Sequence, residues 1–158
     1  FPTRRSSDLG GIDLYAQAWL PGVAPRLQEM FVRLLSVVAP GTGALALPPD
    51  AVSRDPSVVA RYAADPLVHH KAIPARTLVE LLGAMQRFPA SAPGLRLPTL
   101  VLHGTADQLV PLAATRRVYQ AFGTRDCVVK LYDGLYHEVF NEPERERVTA
   151  DLFCWLER

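Results

Sequence analysis

The last part of the sequence predicts an α/β fold, because strand-like and helix-like segments alternate there. Leu97–Gly104 (LPTLVLHG) is a short apolar run ended by glycine, which is typical of a strand buried on both faces. Cys127–Tyr132 (CVVKLY) is a second strand-like run. Helical periodicity follows each of them, over Leu112–Phe122 and again up to the last residue. Strand, helix, strand, helix in this order indicates a parallel α/β unit.

The residues before this unit are mainly helical. Between Pro25 and Pro40 apolar residues recur at helical spacing, so the pattern predicts one helix there. Such a helix either packs in a core or forms a lid over an apolar pocket, and composition alone leaves both interpretations open. A polar stretch follows over Ser53–Lys71, then a predicted helix over Ile73–Phe88 and a loop containing Pro89. The apolar residues of the first helix are Leu27, Met30, Phe31, Leu34, Leu35 and Val38.

The final helix is predicted to begin near Asn141. Asparagine is a frequent N-cap and proline is frequent at the first helical position, so Asn141 and Pro143 together indicate a helix start. Glu142 would then lie in the first turn, where the helix dipole favours a carboxylate. The sequence therefore predicts a helix over the last residues of the chain, with Glu142 stabilised locally by the helix itself.

Composition indicates a globular domain with no strongly cationic surface. The chain has 158 residues, of which 49% are hydrophobic and 21% charged, and its formal charge is +1. This balance does not indicate a nucleic-acid partner.

Cys127 and Cys154 form no CxxC motif, so we expect buried free thiols. His69 and His70 are adjacent and therefore point apart, and no HxH or HxxxH set accompanies them, so we predict no metal site.

An acid and a histidine follow the two predicted strands. Because crossovers in parallel units have one hand, the loops after both strands emerge at the same edge of the sheet. The first loop, GTADQLVP, carries Asp107, and the second, DGLYHEVFNEP, carries His137. A carboxylate that orients a histidine is the second half of a nucleophile, histidine and acid triad. In α/β-hydrolases the chain order is nucleophile, acid, histidine, and the last two occur here in that order.

Neighbouring residues have simpler interpretations. Asp133 also precedes His137, but it lies in the same short loop and is interpreted as a turn residue. His103 lies at a strand end before Gly104 and is interpreted as structural.

The nucleophile of such a triad should lie in a GxSxG motif on a strand-to-helix turn, and no GxSxG occurs in the sequence.

Three segments together resemble bacterial monoacylglycerol lipases, in the serine-hydrolase group often labelled lysophospholipase or serine aminopeptidase S33. The segments are LVLHGTADQLVP, LYDGLYHEVFNEPERERV and SRDPSVVARYAADPLVHH. HGTAD followed by YHE is shared widely among α/β-hydrolases, whereas DPLVHH and HEVFNEPE make the resemblance more specific. The resemblance runs from about Leu20 to Arg158.

The resemblance implies the C-terminal part of an α/β-hydrolase fold, namely its last two parallel strands and flanking helices, preceded by a mostly helical cap. The N-terminal half of the sheet is then missing. Residues 10–72 correspond to the cap, a lid that lines an apolar entrance for an acyl chain, and residues 73–158 to the core. By motif, Asp107 matches the family's catalytic acid and His137 its catalytic histidine. The candidate substrate-binding residues of the cap are Leu27, Phe31 and Leu34.

The activity implied is serine-dependent hydrolysis of the ester of a monoacylglycerol or a similar single-chain lipid. The cap would make transient contact with a membrane interface, and no metal or organic cofactor is needed. The family's serine (in GHSMGG) and its oxyanion-hole residues precede the cap and have no counterpart here, so we expect this chain to be inactive alone. Two alternatives stay open: another cap-bearing α/β-hydrolase, of the epoxide hydrolase or dehalogenase type with an aspartate nucleophile, and a non-catalytic binding module.

The first nine residues, FPTRRSSDL, differ in character from the apolar segment after them. They can be encoded by TTC CCT ACA CGA CGC TCT TCC GAT CTN, which looks like the end of a common sequencing-library adapter read in one frame. We therefore predict that residues 1–9 are adapter-derived. On that interpretation Ser6 and Ser7 are not the nucleophile of the triad.

Overall fold

A computed structural model describes residues 25–158. Their contacts form two units, one from the described residues up to Ala46 with Lys71–Pro89, and one from Leu47–His70 with Ala90–Arg158. The predictions for residues 1–9 and for the beginning of the cap lie outside the described residues. The boundary predicted between residues 72 and 73 stays a prediction.

Helices and strands alternate irregularly along the described residues. In chain order they are α1 (Pro25–Val38), β1 (Gly43–Leu45), α2 (Pro56–Ala64), β2 (Ile73–Pro74), α3 (Ala75–Ser91), β3 (Thr99–Gly104), α4 (Leu112–Gln120), β4 (Cys127–Tyr132) and α5 (Arg145–Leu156). Short 3-10 turns cover Pro49–Ala51, Ala92–Gly94 and Val139–Asn141.

The helix predicted over Ile73–Phe88 begins and ends later than the periodicity indicated. Ile73 and Pro74 form β2, which pairs antiparallel with β1. Ile73 is not helical because the residue before a proline disfavours helical backbone dihedrals. Helix α3 therefore starts at Ala75, whose N–H donates to the carbonyl of Thr42 at 2.8 Å. The helix also continues through Pro89, which was expected in a loop. Its ring removes a single backbone donor close to the end of the helix.

Helix α1 lies where the sequence predicted it, but most of its apolar stripe faces outwards. Val32 is 1% exposed and packs with core residues of α3 and β1, and Leu35 lies partly buried against the same cluster. Apart from Leu35, the residues of the predicted stripe do not take part in this core, so the core-packing interpretation is wrong for them. Within residues 25–158 no helix is long and apolar enough to cross a membrane. The exposed apolar side chains of α1 are Leu27, Met30, Phe31, Leu34, Val37 and Val38.

The second unit contains the predicted parallel pair. Strands β3 and β4 pair parallel and in register, from Thr99 opposite Cys127 to Gly104 opposite Tyr132. Strand β4 has the predicted bounds, whereas β3 starts two residues later than predicted, since Pro98 cannot donate to the ladder. Helix α4 connects the two strands. The first four residues of β3 are only partly buried, rather than buried on both faces as expected.

Strand β4 and helix α5 are joined through Asp151. Its carboxylate accepts hydrogen bonds from the Tyr132 hydroxyl at 2.9 Å and from Lys130 Nζ at 3.1 Å. Both cysteines are free thiols, but Cys154 is exposed and Cys127 is half-buried, so their predicted burial is wrong. The fully buried hydrophobic cluster of this unit consists of Tyr132, Leu135, Val139 and Val148.

The final helix begins at Arg145, not next to Asn141. Asn141 lies in the preceding 3-10 turn, and its side-chain amide donates to Glu138 at 2.7 Å instead of capping α5. Glu142 has extended backbone dihedrals (φ −79°, ψ 161°), as expected for a residue before proline. The prediction that Glu142 lies in the first helical turn is therefore wrong. Its side chain is fully buried and is bound by Arg54 instead.

Candidate active site

The carboxylate of Asp107 is buried just beyond the end of β3. Asp107 as a whole is 8% exposed. Its Oδ1 accepts hydrogen bonds from the N–H groups of Leu109 at 2.8 Å and Val110 at 2.9 Å. These two bonds close the loop after β3 around the carboxylate. Oδ2 is left to face the loop that follows β4, where it meets His137 Nδ1 at 2.9 Å. The structure thus brings together the two residues that the sequence placed at one sheet edge.

His137 combines a buried hydrogen bond with an accessible ring. Its side chain is 40% exposed, whereas that of Asp107 is 2% exposed. Because a carboxylate can only accept, Nδ1 must donate, and the neutral ring then carries its lone pair on Nε2. The hydrogen bond to Asp107 raises the pKa of His137 above its ordinary value of 6.5, against the opposing effect of burial. This is the tautomer and the basicity that a general base requires.

Asp107 stays a carboxylate despite its burial. Burial by itself would raise the pKa of Asp107, but the hydrogen bonds from His137, Val110 and Leu109 outweigh it and lower the pKa below its ordinary value. Three donors that converge on one carboxylate account for this direction. The buried negative charge is therefore available to stabilise a protonated His137.

The two loops of the site meet at Gly104. A Cβ added to Gly104 would lie closer to the carbonyl oxygens of Leu135 and Tyr136 than nonbonded atoms can approach. Next to this contact, the N–H of Thr105 donates to Tyr132 O at 2.9 Å and the N–H of Ala106 donates to Leu135 O at 3.0 Å. The sequence predicts Gly104 only as the end of a strand. The available signal was a glycine at the last position of a strand, three residues before the acid.

A turn at the start of the second loop is held by Thr105. Asp133 lies in this turn, as predicted, and its carboxylate accepts from the Thr105 hydroxyl at 3.1 Å. The same hydroxyl accepts from Gly134 N at 2.9 Å. Gly134 has φ +73°, the left-handed conformation that glycine adopts without cost. Asp133 is therefore a turn residue that contacts the loop of Asp107 without contacting His137.

A second histidine lies beside the acid. His103 is 8% exposed, its Nδ1 is 3.2 Å from the Thr115 hydroxyl, and its Nε2 is 3.9 Å from Asp107 Oδ2. Burial lowers the pKa of His103. Burial thus disfavours a charge on His103, and its interpretation as structural stays a prediction. Among the described residues, no group of three or more histidine, cysteine or acidic side chains could hold a metal ion.

Residues 5–144 match the family described as serine aminopeptidase, S33. The chain belongs to this family. It is 45% identical over 135 residues to the monoacylglycerol lipase of Mycolicibacterium smegmatis, covering 85% of this chain and 48% of that protein. It is also 30% identical over 138 residues to the monoglyceride lipase of Rattus norvegicus, covering 86% and 46% respectively. The chain thus spans about half the length of these two curated relatives.

The fold agrees with that of solved lipases. The crystal structure of the Paleococcus ferrophilus monoacylglycerol lipase superposes with a TM-score of 0.75 at 30% identity, over 89% of this chain and 55% of that one. A monoglyceride lipase from Saccharomyces cerevisiae superposes with a TM-score of 0.66. Strands β3 and β4 with their helices are therefore part of an α/β-hydrolase fold, as the resemblance implied.

Substitution of Gly104 tests the contact between the two loops. We expect Gly104→Ala to lower the free energy of unfolding by about 1–3 kcal/mol, because the new methyl group meets rigid carbonyl groups. Gly94→Ala is the matched control, since a Cβ at Gly94 meets nothing within 4 Å. The control should change stability by no more than about 0.5 kcal/mol in urea unfolding. Equal stability of the two variants would contradict the close contact at Gly104.

The hydrogen bond between Asp107 and His137 makes stability depend on pH. The folded pKa of His137 lies above its unfolded value of 6.5, so the pair's contribution is fully present below that value and is lost as pH rises through the folded pKa. We therefore expect Asp107→Asn to destabilise the protein more at about pH 5.5 than at about pH 8.5 in urea unfolding. Asp133→Asn should show no such pH dependence. Equal losses for Asp107→Asn at the two pH values would contradict a charged pair.

Proposed function

We propose that this chain carries the acid and the histidine of a serine hydrolase that cleaves the ester of a monoacylglycerol or a similar single-chain lipid. The observation that carries the proposal is the 2.9 Å hydrogen bond between buried Asp107 and the accessible ring of His137. An ion pair that served only stability would not need an exposed ring with its lone pair on the outward nitrogen. A general base needs both.

The reaction follows from the two side chains. Nε2 of His137 removes the proton from a serine hydroxyl as the serine oxygen attacks the ester carbonyl. The imidazolium that results is stabilised by the Asp107 carboxylate on its other nitrogen. His137 then donates this proton to the leaving glycerol oxygen, and in the second half of the cycle it removes a proton from the water that releases the fatty acid. No proton has to move onto Asp107 in any step.

The serine and the oxyanion hole would be supplied by chain outside these residues. The sequence contains no GxSxG motif. We therefore propose that the 158 residues alone do not catalyse the reaction, because covalent attack and oxyanion stabilisation are the largest contributions to the rate. Support for the substrate class comes from the names of the similar proteins, among them the monoacylglycerol lipase that is 45% identical.

The cap supplies an apolar surface that suits the acyl chain. Leu27, Phe31 and Leu34 on helix α1 are 54%, 51% and 59% exposed. Leaving apolar side chains in water on one face of a helix is costly unless they bind something. We propose that these three residues contact the acyl chain of the substrate, and that the same face touches the membrane interface from which a lipid substrate is taken.

A chimera tests the proposed reaction. Residues 25–158 of this chain would replace the matching segment of the Mycolicibacterium smegmatis lipase. We propose that the remaining half of that protein supplies the nucleophile. We expect this chimera to hydrolyse a monoacylglycerol, and His137→Ala or Asp107→Asn within it to lower kcat by about 10³–10⁴-fold. The 158-residue chain without the added half should release no nitrophenol from a short-chain p-nitrophenyl ester.

Asp133→Asn in the same chimera is the control for a carboxylate close to the histidine in sequence. It should leave kcat within about twofold, since Asp133 contacts Thr105 and not His137. The proposal would be refuted by a chimera that retains full activity in the His137→Ala variant. Turnover by the 158-residue chain that His137→Ala abolishes would refute its predicted inactivity.

The contribution of the cap can be measured in the same chimera. Replacing Leu27, Phe31 and Leu34 together by serine should lower kcat/KM for a long-chain monoacylglycerol by about tenfold or more, because apolar contact with the chain is lost. The kcat/KM for p-nitrophenyl acetate should not change. Leu97→Ser, at a 70% exposed leucine outside α1, is the control for a lost surface leucine. Equal losses for both substrates would contradict acyl-chain contact.

A further inference from the structure

The segment that carries His137 has few regular elements to hold it. We call residues 133–144, between β4 and α5, the histidine loop; its regular structure is a 3-10 turn over Val139–Asn141. The imidazole itself makes one strong hydrogen bond, to Asp107. Side chains that do chemistry must be held to within about 0.5 Å of their working position. Something beyond Asp107 must therefore fix the backbone on both sides of His137.

Glu142 fixes the side that precedes His137. Its side chain is 0% exposed, and Oε1 accepts a hydrogen bond from the N–H of Tyr136 at 2.9 Å. The same carboxylate accepts from Arg54, through the backbone N–H at 3.2 Å and through Nε at 2.9 Å. Three donors thus surround a carboxylate that has no contact with water, as a buried charge requires.

The residues next to Arg54 fix the side that follows His137. The carbonyl oxygen of Val52 accepts from Glu138 N at 2.9 Å, and the Ser53 hydroxyl donates to Asn141 O at 3.0 Å. Residues 52–54 therefore bond to the histidine loop after the histidine, and through Glu142 they are linked to Tyr136 before it. These contacts join segments 86 to 88 positions apart and lie within one compact unit.

We propose that Arg54 and Glu142 are positioning residues, which hold the imidazole of His137 on Asp107 by bracing the backbone of the histidine loop. We call these contacts of Arg54 and Glu142 the brace. Its role in catalysis rests on the proposed function, whereas the hydrogen bond between His137 and Asp107 that it maintains does not. Arg54 is suited to the task, because its rigid planar head binds Glu142 through Nε and leaves Nη2 for Glu144. Glu144 is 45% exposed and adds little to the brace.

The decisive measurement is the pKa of His137, obtained by NMR titration of the ring protons in the 158-residue chain. The chain has four histidines, and a His137→Gln variant identifies the resonance. In Arg54→Met we expect the pKa of His137 to lose most of its elevation and to fall toward 6.5, because the loop no longer holds the ring on Asp107. Removing the positive charge of Arg54 would by itself raise the pKa of His137 electrostatically. A fall in this pKa therefore reports that the ring has moved away from Asp107.

Three further variants complete the test. Glu142→Gln should lower the pKa of His137 as Arg54→Met does, and Arg54→Lys should restore part of the elevation, since an ammonium group still pairs with Glu142. Glu144→Gln is the matched control, because it removes the exposed partner of the same arginine and should leave the pKa of His137 as in the unaltered chain. An unchanged or raised pKa in Arg54→Met would overturn the proposal, and so would an equal fall in Glu144→Gln.

Removing one partner of a buried pair costs about 3–5 kcal/mol and could prevent folding. The double variant Arg54→Met with Glu142→Met leaves no unpaired charge and keeps the proposal falsifiable in that case. It should fold, yet its His137 should titrate below that of the unaltered chain. A double variant in which His137 keeps its raised pKa would overturn the brace.

Kinetics of the chimera separate this proposal from the proposed function. Arg54→Met in that chimera should lower kcat by about 10–100-fold with KM within about twofold, as expected for a misplaced base. A chimera that stays active after His137→Ala refutes the function but leaves the NMR result standing. An active chimera whose kcat and His137 pKa are both unaffected by Arg54→Met refutes the brace alone.

Discussion

The site depends on the close approach of two backbones at the end of the parallel pair β3 and β4. Gly104, the last residue of β3, lies against the carbonyl groups of Leu135 and Tyr136 with no room for a side chain. Asp107 follows this contact by three positions and His137 follows it by one, so the distance between the loops determines whether carboxylate and imidazole can meet. The neighbouring hydrogen bonds from Thr105 and Ala106 then fix the register of the two loops.

The acid and the histidine could be predicted from sequence because their placement is topological. Cys127–Tyr132 is rich in β-branched and aromatic residues and became a strand with the predicted bounds. Once two parallel strands are recognised, the handedness of their crossover places the following loops at one edge. The chain order of acid before histidine and the family's motifs then selected Asp107 and His137 from the polar residues of these loops. The predicted element boundaries were wrong next to prolines. Helix α3 and strand β3 both begin later than predicted, directly after Pro74 and Pro98.

Glu142 could not be predicted, because a long-range partner overrides its local preference. A glutamate one residue before a proline and three before a helix reads as a dipole-stabilised residue of a first turn. Its side chain instead turns inward, where Arg54 and the N–H of Tyr136 satisfy it. Arg54 lies in a polar stretch without periodicity, and no sequence rule pairs two charges that lie 88 positions apart. The same limit applies to Gly104, whose neighbour is a backbone from another loop.

Electrostatics around Asp107 shift the pKa values of its two neighbouring histidines in opposite directions. His103 and His137 both approach Oδ2, at 3.9 Å and 2.9 Å. Burial dominates for His103 and lowers its pKa, while the direct hydrogen bond dominates for His137 and raises its pKa. A proton on His137 further lowers the pKa of His103 by like-charge repulsion. The carboxylate therefore favours a proton on His137 over one on His103. His103 lies buried beside it, and this burial disfavours a competing charge.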